Sequence, residues 1–207
     1  MSMGMPDAFV HATTGIEAID EGIETLYETG YMHNHLRMYT AGIVCNMSGA
    51  HWRTPSKWLY YHLLDGDIAS NTCSWQWNAG AFSSKKYITV QDNINQYTGS
   101  TQRGTFLDVD YEHIWDVSVP EHMKKCAPLT LTTTLPEKQA ITLDPTKILC
   151  IYTDYSIDPD WMSDTRANRI LVLSPSHFRE FPVSEKVIEF IVSLLCRSVY
   201  HLYRRDT

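Results

Sequence analysis

Apolar residues recur every three or four positions through the first part of the chain. Ile16, Ile19, Ile23 and Leu26 draw one stripe between residues 14 and 29, which predicts an amphipathic helix. Gly30 follows, a residue free to take the positive φ that ends a helix. Leu36, Ala41, Ile43 and Val44 predict a second helix from residue 31 or 32 to residue 47, with Asn34, Arg37 and Met38 on one side at i, i+3 and i+4. Thr54 and Pro55 open a third, which Trp58, Leu59, Tyr61, His62 and Leu63 continue toward Asp65. The pattern breaks at Asp65, Gly66 and Asp67, and Asp67 is placed to cap a fourth helix from Ile68 to about Phe82. Asn71, Ser74, Trp75 and Asn78 fall near one another on it. Ser70, Asn71, Thr72, Cys73 and Ser74 are mediocre helix formers, so a constraint other than local propensity acts on this segment.

After Ser84 the pattern dissolves into polar and turn residues. A short segment at 93–97, punctuation at Gly99 and Gly104, and a helical turn at 111–117 are the readable features. Leu129, Leu131, Thr133 and Leu135 alternate, as in an extended segment. The last part changes character, with β-branched and leucine-rich runs at 148–153 and 170–174 that predict two buried strands. Ser184 then opens a helix expected to reach about Tyr203, with Val187, Ile191, Leu194, Leu195, Ser198 and Leu202 inward and Arg204 and Arg205 at its end. Residues 169–184 read as a strand, a loop and a helix start, with His177 and Arg179 exposed on the loop. No Ser or Cys in a motif context accompanies His177, so the pattern does not indicate a hydrolase. The expected fold class is mainly α over residues 1–125, with a small α/β annex at 126–207.

Composition narrows the class. At 207 residues and 43% apolar content the chain can bury a core. Cys45, Cys73, Cys126, Cys150 and Cys196 are scattered, odd in number and never spaced Cys-x-x-Cys, which indicates neither a disulfide framework nor a zinc site. The histidine spacing offers no metal site either. The N-terminus has no charged region followed by an apolar run, and the stretch from 187 to 195 is interrupted by Glu189 and too short to span a bilayer. These features predict a soluble, cytoplasmic protein with no membrane partner. A net charge of -7 argues against a broad electrostatic attraction to nucleic acid but leaves room for a local basic patch.

Residues 30–84 concentrate the candidate chemistry. Trp52, Trp58, Trp75 and Trp77 stand there beside Asn34, Arg37, Asp65, Asp67 and Asn71. Buried polar groups need partners, which a planar ligand rich in donors and acceptors supplies. Equally, Arg37 could pair with Asp65 across a helix junction and only fix the fold.

Five separated motifs carry a resemblance. They are Thr14-Gly15-Ile16-Glu17-Ala18-Ile19-Asp20; Gly30-Tyr31-Met32-His33-Asn34-His35-Leu36-Arg37-Met38; Trp52; Leu64-Asp65-Gly66-Asp67-Ile68-Ala69-Ser70-Asn71; and Ser74-Trp75-Gln76-Trp77. In order and spacing they resemble the flavin-binding domain of DNA photolyases and cryptochromes, over about residues 14–97. The resemblance implies a helical photolyase-type FAD-binding fragment, the C-terminal half of that domain, with FAD as cofactor. Asn34 and Arg37 match positions beside the flavin, with Arg37 expected to pair with Asp65. Asp65 and Asp67 match aspartates that approach the isoalloxazine edge and the ribose, and Asn71 matches the residue facing flavin N5. Trp75 and Trp52 match the inner members of the tryptophan chain that reduces the photoexcited flavin. Met38 and Trp77 match residues lining the cavity for a flipped pyrimidine dimer.

Such a protein performs light-driven electron transfer and, with DNA carrying pyrimidine dimers as partner, lyase-type repair. Full-length relatives carry upstream an antenna α/β domain, a Ser/Thr-rich loop that holds the FAD phosphates, the outermost tryptophan, and a Glu and Trp of the dimer cavity. About half of the flavin site is therefore expected to lie outside this chain, and the annex departs from the helical ending usual in the family. The first expectation is a photolyase/cryptochrome-related flavoprotein, its site reduced or completed by a second chain or by self-association. The alternative is a non-catalytic structural or interaction module derived from a truncated flavin domain, or one piece of a split photolyase.

Overall fold

The computed structural model describes residues 1–138, 140–158, 160–196 and 201–204. The chain divides into two compact units, Met1–Thr130 and Leu131–Thr207.

The first unit is helical. Strand β1 (Met5–Pro6) and helix α1 (Asp7–Val10) lead to α2 (Glu17–Thr29), α3 (Asn34–Gly42), a π turn (Ile43–Met47), α4 (Arg53–His62), α5 (Ile68–Asn78) and α6 (Gln91–Thr98). A 3-10 turn (Tyr111–Asp116), α7 (Glu121–Lys124) and β2 (Cys126–Ala127) close it, with β2 antiparallel to β1. The stripe on α2 is the floor of the core, since Ile16, Ile19, Ile23 and Leu26 are fully buried. Each such side chain contributes about 1.5–3 kcal/mol by leaving water. The start of α2 is held by a carboxylate. Asp20 accepts from the Thr14 amide and hydroxyl at 2.8 and 2.7 Å and from the Gly15 amide at 3.0 Å, so the Thr14, Gly15, Asp20 pattern is a helix-start device. Trp58 is buried on α4, and its indole N–H donates to the Tyr27 hydroxyl at 3.0 Å, which in turn donates to the Val10 carbonyl at 2.8 Å. A large apolar ring is thus buried with its one donor satisfied.

Two expected helices of this unit are shorter than the apolar pattern suggested. The second begins at Asn34, because the His33 ring nitrogen accepts from the His35 amide as its cap, and it turns into a π segment after Gly42. The fourth stops at Asn78, ahead of Gly80 at φ +68°. Its start is as expected, with the Asp67 carboxylate accepting from the Ser70 amide at 2.6 Å.

The second unit holds a parallel sheet in the order β3 (Ile148–Tyr152), β4 (Ala167–Leu173), β5 (His201–Arg204). Cys150, Tyr152, Leu171 and Leu173 are buried in it. Buried Arg169 anchors the long β3 to β4 connection, donating to the Tyr152 hydroxyl, to Trp161 O at 2.9 Å and to Met162 O at 2.5 Å. Two expectations change here. The segment after β4 is a helix, α8 (Pro175–Glu180), which Pro175 starts, and on it Arg179 is exposed while His177 is half-buried, 3.6 Å from the Asp154 carboxylate. The last helix is α9 (Glu185–Cys196), and His201–Arg204 is strand β5, so a helix reaching Tyr203 is not formed. Ser198 and Arg205, assigned to that helix, lie outside the described residues. The alternating leucines from 129 to 135 join no ladder among the described residues. The architecture is mainly α with a small α/β part. Among the described residues no helix is long and apolar enough to cross a membrane.

Candidate functional site

A cavity of about 320 Å³ opens between α3, the α4 to α5 turn and α5. Asn34, Arg37 and Met38 reach it from the first, Asp65 and Asp67 from the second, and Asn71, Trp75 and Trp77 from the third. Their separations in sequence are bridged by three local devices. Gly30, at φ +75°, ends α2 and packs so closely on the α4 to α5 turn that a Cβ there would lie 2.5 Å from Leu64 Cγ. Its carbonyl accepts from the Leu64 amide at 2.9 Å, which brings Asp65 alongside α3. The Arg37 guanidinium then donates through Nη2 to both carboxylate oxygens of Asp65 at 2.9 Å. Its Nε donates to Met32 O at 2.6 Å, and its plane stands 5.8 Å from the Tyr31 ring centroid. Arg37 is therefore oriented twice, once by a carboxylate and once by the backbone.

On α5, the Asn71 amide donates to Ser56 O at 2.8 Å, which pins the cavity face of this helix to α4. Trp75 is buried and Trp77 is 44% exposed, so two positions within one turn of the helix present an enclosed ring and an open one. Asn78, buried below them, donates to Ser74 O at 2.8 Å and leaves its Oδ1 without a partner. The Asn78 carbonyl accepts from Asn46 at 2.9 Å, and Asn46 also donates to Tyr87 O at 2.6 Å. Asn46 belongs to the π turn. A π segment re-aims the side chains that follow it, and here it ties the end of α3 to the end of α5.

Trp52 does not line the cavity. It precedes α4, partly buried against the core, with its ring 5.2 Å from His51 and 5.9 Å from the Arg53 guanidinium. Conversely, Ser70, Ser74 and Asn78 line the cavity without having been assigned to it. The signal for two of them was present in the sequence, since Ser74 and Asn78 follow Asn71 at i+3 and i+7 on one helix face. Leu59 and Leu63 supply an apolar wall from α4 and its end. Among the described residues no group of three or more His, Cys, Asp or Glu could hold a metal ion.

Chemically the cavity offers one guanidinium, two carboxylates, several amides and hydroxyls, and two indoles. Such a lining recognises a flat, partly polar ring system from several sides.

Comparison with known proteins gives the family. The family described as the FAD binding domain of DNA photolyase matches residues 5–111. The deoxyribodipyrimidine photo-lyase of Escherichia coli (strain K12) is 38% identical over 101 residues, which cover 48% of this chain and 21% of the relative. That of Buchnera aphidicola subsp. Acyrthosiphon pisum is 33% identical over 102 residues, 49% of this chain and 21% of the relative. That of Neurospora crassa is 38% identical over 109 residues, 52% of this chain and 17% of the relative. The chain thus matches about a fifth of the length of these curated relatives. With more than half of its length matched, the chain belongs to the family of the FAD binding domain of DNA photolyase, whose cofactor is FAD.

Proposed function

We propose that this chain holds the isoalloxazine end of FAD in the cavity between α3 and α5 and serves light-driven electron transfer, with repair of pyrimidine-dimer DNA as its use. One observation carries the reading: Asn34, Arg37, Asp65, Asp67, Asn71 and Trp75, drawn from three separate segments, converge on one cavity rather than dispersing over the surface. The donor set fits the group. A tricyclic ring with imide N–H, ring nitrogens and carbonyls needs both acceptors and donors around its edge, and carboxylates, carboxamides and a guanidinium supply both.

When bound, FAD supplies light absorption and one-electron chemistry. The chain's own residues bind, orient and shield. Arg37, fixed by Asp65 and Met32 O, places a permanent positive charge at the cavity wall and favours negative charge developing there. Asn71, with one amide hydrogen committed to Ser56 O, keeps its carboxamide oriented so that it can accept from or donate to a ring nitrogen. Leu59, Leu63 and Trp75 exclude water from the inner wall. Met38 and exposed Trp77 form the outer lining, suited to an unstacked base. Trp75 and Trp52 are the proposed internal reductants.

A second reading is favoured by size. At about 320 Å³ the cavity lies at the low end for small-molecule sites and takes a ring system rather than a whole dinucleotide. In this reading a second polypeptide or another copy of the chain covers the rest of the cofactor.

The test is the visible absorption of protein purified from cells and again after addition of FAD and desalting. A retained flavin band is expected. A protein that stays colourless alone and with added FAD sinks the first reading, and one that turns yellow only with a second polypeptide establishes the second. In the flavin-loaded protein Trp75→Phe is expected to slow photoreduction; an unchanged rate removes Trp75 from the electron path.

A further inference from the structure

A second cavity, also of about 320 Å³, opens where α2, the segment leading into α3 and the end of α6 meet. Its floor is apolar and includes Gly22, Met32 and Leu36. Gly22 sits in the middle of α2, where glycine disfavours a helix, and its use is steric: a Cβ there would lie 2.8 Å from Leu36 Cδ1, so only glycine lets Leu36 lie flat against the helix. Tyr31, His33 and Tyr97 stand around the floor, and the exposed side chain of Glu21 lies beside them. None of these residues lines the cavity between α3 and α5.

Two of the walls are set in advance. His35 stacks on Tyr97 at 4.2 Å and 14° and on His33 at 5.3 Å and 10°, and the His33 ring is held further by accepting from the His35 amide. Rings fixed in this way lose little freedom when a ligand arrives. The polar groups around the cavity are unspent. Among the described residues Glu21 makes no ion pair, and the Tyr31 and Tyr97 hydroxyls make no hydrogen bond. The charge is one-sided as well. Helix α2 carries Glu17, Asp20, Glu21, Glu24 and Glu28 and neither lysine nor arginine. The Arg37 guanidinium, 5.8 Å from the Tyr31 ring, is already paired with Asp65.

We propose that this second cavity binds a small, flat organic cation, an amidinium or guanidinium, with Glu21 as its counter-ion and Tyr31, His33 and Tyr97 as the ring surfaces it lies against. A delocalised planar cation is weakly hydrated, so it exchanges water for an apolar floor and aromatic faces at little cost. A primary ammonium holds its water more strongly and suits such a lining less well. A metal ion lacks ligands, since among the described residues no group of three or more His, Cys, Asp or Glu is placed to hold one. An anion meets the Glu21 carboxylate, and a neutral ring leaves that carboxylate unpaired. The volume lies at the low end for small-molecule sites, room for one ring-sized molecule. The site takes nothing from the flavin reading.

The test pairs benzamidine, whose amidinium is charged, with benzamide, a neutral molecule of nearly the same shape. The full chain, isotope-labelled in its tyrosine and histidine rings, is titrated with each and followed by nuclear magnetic resonance. Benzamidine is expected to shift the Tyr31, His33 and Tyr97 ring signals saturably. Benzamide is expected to bind at least about fivefold more weakly, the discrimination that one exposed ion pair allows. Glu21→Gln, a change at an exposed position, is expected to abolish that preference. Tyr97→Ser removes a wall and is expected to weaken both ligands. Circular dichroism matching the unsubstituted protein establishes that each variant folds. Ring signals that do not move, equal affinity for the two ligands, a preference that survives Glu21→Gln, or unchanged binding in Tyr97→Ser overturns the proposal. Neither Glu21 nor Tyr97 lines the flavin cavity, so these outcomes are independent of the absorption test. A chain that never retains FAD but passes here loses only the proposed function, and one that binds FAD but fails here loses only the cation site.

Discussion

Replacing Asp65 by asparagine separates the two roles that the Arg37 and Asp65 pair can play. If the pair exists to hold the fold, its loss falls on stability. Arg37 and Asp65 are 22% and 57% exposed, and an ion pair that open to solvent, made through a single guanidinium nitrogen, contributes about 0–1 kcal/mol. Arg37 also keeps its 2.6 Å bond to Met32 O when the carboxylate is gone, so the guanidinium does not collapse into the cavity. The expected change in unfolding free energy is therefore below about 1 kcal/mol, read from urea titrations followed by tryptophan fluorescence. Ligand binding is expected to respond more. A hydrogen bond to a charged acceptor is worth about 1.5–3 kcal/mol, which is roughly a tenfold to hundredfold loss of FAD affinity in a titration of flavin fluorescence. The opposite pattern, a protein destabilised by several times the exposed-pair estimate but with FAD affinity intact, refutes the reasoning and returns the pair to a purely structural role.

Gly30→Ala is expected to damage both readouts together. It imposes a side chain at φ +75° and a Cβ 2.5 Å from Leu64 Cγ, which displaces the turn carrying Asp65 by a loss of more than about 1 kcal/mol. Unfolding curves that do not move would show that the turn tolerates the shift. The Asp144 carboxyl is held down to about 2 by the Thr146 hydroxyl and amide and by Lys147. Its folded value lies below its unfolded one, so the stability it contributes is complete above about pH 4 and is lost as the pH falls toward 2. Asp144→Asn should flatten acid titrations of near-ultraviolet circular dichroism in that window, and a slope equal to that of the unsubstituted protein would exclude Asp144 as its source. Burial pushes the Cys45 thiol up to about 12, whereas Cys73 is exposed. Iodoacetamide at neutral pH should therefore modify Cys73 and spare Cys45 in peptide mass maps, unless the core opens on the labelling timescale.

The helical unit was legible where one apolar face meets one core. Ile16, Ile19, Ile23 and Leu26 announce α2, Gly30 announces its end, and Asp67 announces the cap of α5. What periodicity could not convey was where a helix changes its winding or stops. Ile43 and Val44 continue the apolar pattern of α3, but the backbone there is a π turn set by contacts to Asn78 and Tyr87, more than thirty residues away. At the other end of the chain, the apolar run from Val187 belongs to a helix only as far as Cys196, because the strand at His201–Arg204 is specified by pairing with β4 and not by its own sequence.

The segment from Ser70 to Ser74 shows why the cavity was nonetheless visible. Five mediocre helix formers in succession oppose the helix that contains them, and in α5 that cost is offset by the Asp67 cap at one end and by the Asn71 bond to Ser56 O in the middle. Better helix formers, such as alanine or leucine, would stabilise the helix and leave the cavity wall without its amide and hydroxyl groups. A sequence that declines the more stable choice at Ser70, Asn71 and Ser74, all of them on the cavity lining, is better accounted for by a polar ligand than by the fold.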